Sequence, residues 1–72
     1  MTVITRLRIA RMKKEKNLKN FCKNHHFSYP TLSEVENRAR KVPKSWVRHL
    51  ADIIDEEETL LFDEDGLAQK WG

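Results

Sequence analysis

Glycine, proline and cysteine are scarce in this chain: two, two and one among 72 residues. So few turn formers argue against a loop-rich or all-β fold. The lone Cys22 has no partner for an internal disulfide, so an oxidising compartment is not expected. No apolar run approaches the length that spans a bilayer. Arg6, Arg8 and Arg11 interrupt the apolar residues near the start, so no signal peptide is expected and the predicted location is cytoplasmic. Missing as well are a glycine-rich phosphate loop, a nucleophile motif and carboxylates paired for an enclosed site. A domain of this size buries only about 60% of its unfolded surface, which leaves little room for a catalytic cleft beside the core. A non-enzymatic protein with no cofactor, metal or small-molecule substrate is expected.

What is present is charge, unevenly placed. Residues 1–48 hold 13 Lys and Arg against Glu15, Glu34 and Glu36, a balance of +10. Residues 49–72 hold Lys70 against eight acidic side chains, a balance of −7. A basic first two-thirds is the footprint of a polyanionic partner, although a mixed solvated surface has the same composition.

Helical periodicity accounts for most of the remaining pattern. Segment 3–16 places Ile4, Leu7 and Ala10 on one stripe beside basic positions. Asn17 is a predicted N-cap for a helix over 18–25, with Leu18, Phe21 and Cys22 on its apolar side. Ser28 is a predicted cap for a helix over 29–37, with Pro30 in the first turn and Leu32 and Val35 facing inward. Residues 38–43 read as a loop. Ser45 is the predicted cap of a fourth helix carrying Trp46, Val47, Leu50, Ile53 and Ile54. Asp55 is the predicted cap of a short fifth, with Glu56 to Glu58 at its positive end and Leu60, Leu61 and Phe62 on its apolar side. Residues from Asp63 onward read as looser, with Leu67 and Trp71 available to fold back. Five short helices without a strand predict an all-α fold.

The stretch Leu18 to Leu61 resembles the repressor/Cro family of helix-turn-helix domains. Phe27-Ser28-Tyr29-Pro30-Thr31-Leu32-Ser33-Glu34-Val35-Glu36-Asn37 is similar to that family's turn and recognition helix, and the basic stretch Arg38 to Lys41, Pro43 and Leu50-Ala51 continue the likeness. The resemblance implies a compact five-helix repressor-like domain over residues 1–66, followed by a C-terminal tail over 67–72. It also implies that Arg11, late in the first helix, forms a partly buried ion pair with Glu36 at the end of the third. Four positions depart from the family. Leu18 stands where a glutamine usually opens the second helix. His26 and Arg38 replace glycines, and Glu34 sits where a polar or basic side chain often reads a base.

On this reading Leu18, Ser28, Tyr29, Pro30, Thr31, Ser33, Glu34 and Asn37 form the face that meets DNA or a repressor. Lys19, Lys23, Arg38, Arg40 and Lys41 form a rim for phosphates. Hydroxyls and amides favour DNA, whereas Glu34 repels phosphates and Leu18, Tyr29 and Pro30 make the face more apolar than base reading needs. The resemblance implies a small phage regulator of a lysis–lysogeny switch. It would either bind operator DNA, alone or as a homodimer, or act as an antirepressor that covers another regulator's DNA-binding surface.

Other constellations are weaker. Cys22, His25, His26 and His49 lack the paired spacing of zinc ligands. Cys22 with a histidine lacks an orienting third group for nucleophilic catalysis. Trp46 and Trp71 are candidate stacking platforms, but Trp46 belongs to an apolar stripe. The basic first helix has too narrow an apolar face for a membrane surface.

Overall fold

A computed structural model describes residues 4–71. Five helices follow in order: α1 Arg6–Lys14, α2 Leu18–His25, α3 Tyr29–Glu36, α4 Lys44–Ile54 and α5 Glu58–Leu61. Among the described residues there is no strand, only two isolated antiparallel bridges, Thr5 with Lys70 and Phe62 with Ala68. The fold is all-α. Among the described residues no helix is long and apolar enough to cross a membrane.

Helix α1 begins one turn later than the apolar stripe suggests. Thr5 is its cap, its Oγ1 accepting the Arg8 N–H at 3.2 Å, so Ile4 lies outside the helix and is exposed. Val3, the start of the expected segment, lies outside the described residues. The same Thr5 hydroxyl donates to the Glu36 carbonyl at 2.7 Å and is fully buried. One threonine therefore starts α1 and ties it to the end of α3.

Asn17 caps α2 as its sequence position predicts, its Oδ1 accepting the Asn20 N–H at 3.2 Å. His26 ends α2 in the left-handed region (φ 61°, ψ 40°), and Phe27 and Ser28 lead into α3. Ser28 occupies the N-cap position of α3, but its hydroxyl makes no capping bond. Proline supplies the start signal there, because its fixed φ suits a first turn and its missing N–H would be unpaired anyway.

Two further caps differ from expectation. Helix α4 starts at Lys44 behind Pro43, so Ser45 lies inside the first turn. Asp55 does not open α5; it closes α4 with a left-handed backbone (φ 63°), and Glu57 precedes α5 without a side-chain cap. An aspartate tolerates that conformation better than most side chains, which lets the chain reverse without glycine.

Leu7, Phe21, Leu32, Val35, Leu50 and Leu61 are almost wholly buried and form the centre of the core. Trp46, Val47 and Ile53 pack against it half-buried. Phe27 bridges the α2–α3 link to α4, 6.0 Å from the Phe21 ring, 4.9 Å from Trp46 and 5.2 Å from His49. Of the three apolar residues assigned inward near α5, Leu61 and Phe62 are buried, while Leu60 points outward.

The last described residues are stitched to the body. Ala68 is fully buried. The Gln69 carbonyl accepts from Arg6 N–H at 2.8 Å, and Trp71 N–H donates to the Ile4 carbonyl at 3.0 Å. A turn reverses the chain after Phe62. The Oδ1 of Asp63 accepts from the N–H groups of Asp65 and Leu67, and Gly66 takes φ 81°, a backbone that favours glycine.

Candidate functional site

Helix α3 presents the candidate face. Leu32, Val35 and Glu36 point inward. The opposite side carries Pro30, Glu34 and Asn37, with Tyr29 and Ser33 along one flank and Thr31 along the other, as a 3.6-residue period requires. Ser28, Tyr29, Pro30 and Glu34 are exposed; Thr31, Ser33 and Asn37 are half-buried.

The Tyr29–Ser33–Asn37 flank forms one wall of an open groove. Leu18 from α2 and Arg8 and Arg11 from α1 line it as well, with Lys16 from the α1–α2 link. Of the eight residues assigned to the contact face, Leu18, Tyr29, Ser33 and Asn37 converge in this groove, while Pro30, Thr31 and Glu34 on α3 and Ser28 at its N-cap lie outside it. Arg8 and Lys16 are basic groups that the sequence reading missed. Arg8 lies one turn before Arg11 on α1, whereas Lys16 lies in the link just before the capping Asn17, so neither segment alone shows that the two line one groove. The Lys19 ammonium sits 5.6 Å from the centre of the Tyr29 ring, close enough for a cation–π contact.

The groove has a rigid floor. Arg11 grips Glu36 bidentately, Nε to Oε2 at 2.8 Å and Nη2 to Oε1 at 2.9 Å, and both side chains are almost wholly buried. Its remaining Nη1 donates to the carbonyls of Glu15 and Lys16, each at 2.9 Å. Arg11 therefore fastens α1, α3 and the α1–α2 link at one point. Among the described residues, no buried side-chain nitrogen or oxygen lacks a partner, so the buried charge is fully compensated.

The rim differs from expectation at one position. Lys19, Lys23, Arg40 and Lys41 are exposed. Arg38 instead turns toward the body: its Nη1 donates to Asp63 Oδ2 at 2.8 Å and to the Ala68 carbonyl at 3.0 Å. The reason is backbone geometry, since Arg38 adopts φ 61° immediately after α3 and aims its side chain at the C-terminal turn. Asp63 is held below the usual carboxylate range, chiefly by the Leu67 N–H, aided by Arg38 and the Asp65 N–H.

Cys22 is buried, and burial raises its thiol pKa, with the Glu36 carboxylate adding to the rise and Arg11 opposing it. His25 packs 4.8 Å from the Phe21 ring and His49 against Phe27. Among the described residues, no three His, Cys, Asp or Glu side chains gather as metal ligands would. Compared with protein families, curated proteins and solved structures, the chain matches none.

Proposed function

We propose that this chain is a small helix-turn-helix regulator of the phage switch type, and that its α3 face binds a partner repressor and covers that protein's DNA-binding surface. The observation that carries the reading is the mixed character of the face. Glu34 stands exposed on the outer side of α3, and along one flank Tyr29 and Leu18 offer apolar surface in a groove that Arg8 and Lys16 also line. A protein surface carries both signs of charge and apolar pockets, so it complements such a face; a polyphosphate carries one sign. Withdrawal of Arg38 to Asp63 removes one further cation from the phosphate rim.

The local backbone supports the helix-turn-helix part of the proposal. His26 and Arg38 stand where the resembled family carries glycine, and both adopt φ 61°. A left-handed residue other than glycine costs about 1 kcal/mol or more and persists only where the surroundings demand that bend. The α2–α3 link and the exit from α3 thus bend where glycine would be expected.

A second reading, direct binding to operator DNA, draws on the exposed Lys19, Lys23, Arg40 and Lys41. One experiment separates the two. Helix-turn-helix repressor domains, each bound to its own operator, are titrated with this chain and resolved by gel shift, beside a randomised DNA duplex. Release of an operator by the wild type, lost in Tyr29→Ala and Glu34→Arg, supports the repressor reading. Selective retention of particular duplexes by this chain alone, strengthened by Glu34→Arg, replaces it with the DNA reading. Activity toward neither ends both.

A further inference from the structure

The groove beside α3 carries a charge that the fold itself does not use. Its ionisable lining is Arg8, Arg11, Lys16 and Glu36, with the Tyr29 phenol at one wall. Arg11 and Glu36 cancel in their bidentate pair. Among the described residues the ion pairs engage Arg11, Arg38 and Arg48, and none engages Arg8 or Lys16. Glu15 is the acidic neighbour of Lys16 in the chain, but its Oε1 accepts the Asn17 N–H at 3.1 Å. Two cations therefore face the groove without a counter-charge.

Their backbone is already in place. Arg11 Nη1 donates to the carbonyls of Glu15 and Lys16, which fixes the link that carries Lys16, and Arg8 lies one turn earlier on the same helix as Arg11. A site whose backbone is set beforehand gives up less freedom when its ligand arrives. Across the groove Ser33 and Asn37 bring a hydroxyl and an amide, while Leu18 and Tyr29 bring apolar surface. A ligand that meets all of these has one negative charge, paired acceptor oxygens and a short apolar stem. The side chain of glutamate or aspartate has that make-up: its two oxygens accept from guanidinium, ammonium and hydroxyl donors, and its methylenes lie on apolar walls.

A nucleic-acid phosphate shares the charge but fits the surroundings less well. A duplex carries one negative charge for about every 1.7 Å of its axis, so a phosphate in the groove brings others past the exposed Glu34. A protein surface can set a lone carboxylate beside a cation. We infer that the Arg8–Lys16 groove receives an acidic side chain of the partner repressor, an inference that rests on the repressor reading above. The contact is then two-signed: the groove takes an anion from the partner, and Glu34 takes a cation. Two signs on one helix admit the partner in one orientation, because the reversed docking sets like charges together.

The test uses the helix-turn-helix repressor domain that the wild type displaces from its operator, with direct binding measured by calorimetry. Circular dichroism checks that each variant folds. Arg8→Glu and the fully surface-borne Lys16→Glu are each expected to weaken binding by about tenfold, whereas Arg8→Lys keeps most of it. Each Asp and Glu on the DNA-binding surface of the repressor domain is then changed to Lys in turn. One of these is expected to weaken binding of the wild type and to restore binding of Arg8→Glu or Lys16→Glu, a charge exchange that a purely structural role would not produce. Wild-type binding that both reversals leave unchanged overturns the inference and leaves the α3 reading standing. Weakening that no exchange restores overturns it as well. So does a result in which the reversals spare the repressor and reduce only retention of a DNA duplex, for the anion is then a phosphate. A wild type that binds no repressor domain removes the α3 reading, and this inference falls with it.

Discussion

The α1–α3 junction and the C-terminal turn are fastened in the same chemical way, by an arginine that grips a carboxylate and backbone carbonyls, yet they sit in different dielectric surroundings. Arg11 and Glu36 have side chains only 5% and 3% exposed, whereas Arg38 and Asp63 are 26% and 21% exposed. A buried pair that loses one member leaves a charge stranded away from water, whereas a half-exposed pair leaves a charge that water can reach. The first arginine therefore governs whether the body forms, and the second governs whether one segment stays docked.

The largest effect is expected at the buried site. Arg11→Ala should destabilise the protein by about 3–5 kcal/mol in urea unfolding, because Glu36 is left buried without a counter-charge. The double variant Arg11→Met with Glu36→Leu should recover most of that loss. If it is instead as unstable as the single variant, the cost lies in packing and not in the stranded carboxylate. Arg38→Ala should cost about 1 kcal/mol, a charged hydrogen bond discounted for exposure. Amide exchange should quicken around Gly66 to Gln69 while the Arg11 region stays protected.

A pH series sharpens the contrast. The folded-state pKa of Asp63 lies below its ordinary value, so its contribution is present above pH of about 4 and is lost as pH falls through the lowered value. Asp63→Asn should flatten that part of the acid limb of the urea midpoint, with its loss of stability largest at neutral pH and vanishing below the lowered pKa. The smallest effect is expected at Arg48, whose contacts with Asp52 and Glu58 are exposed. Arg48→Ala should shift stability by less than about 0.5 kcal/mol.

Sequence periodicity placed the helices well because a 3.6-residue stripe reports which side is buried, and Leu7, Phe21, Leu32, Val35 and Leu50 all lie inside as their spacing predicts. Starts and stops were less legible. Ser28, Ser45 and Asp55 each have the composition of a cap; Ser28 stands at the N-cap of α3 without a capping bond, whereas Pro43 takes that place at α4 and Asp55 serves as a stop. Composition names the candidates for capping and does not choose between an entry and an exit.

Long-range partners were legible only where the family resemblance supplied them. The Arg11–Glu36 pairing came from that source, whereas Arg38–Asp63 joins residues 25 apart with no local signal. The half of the candidate face that lies on α3 followed from one helical wheel. The groove wall built by Arg8 and Lys16 depends on how α1 and α2 meet, and that angle is written in no single segment.

The hydrogen bond between Trp71 and Ile4 has a topological corollary. Residues 4 and 71 are already neighbours, so a short linker could join these two segments with little disturbance to the packing. A new opening could then be cut in the link between α3 and α4, giving a circularly permuted chain with the same helices in a different order. Its folding rate, set against the parent's, would reveal whether α1 and α3 must meet early or can be brought together last.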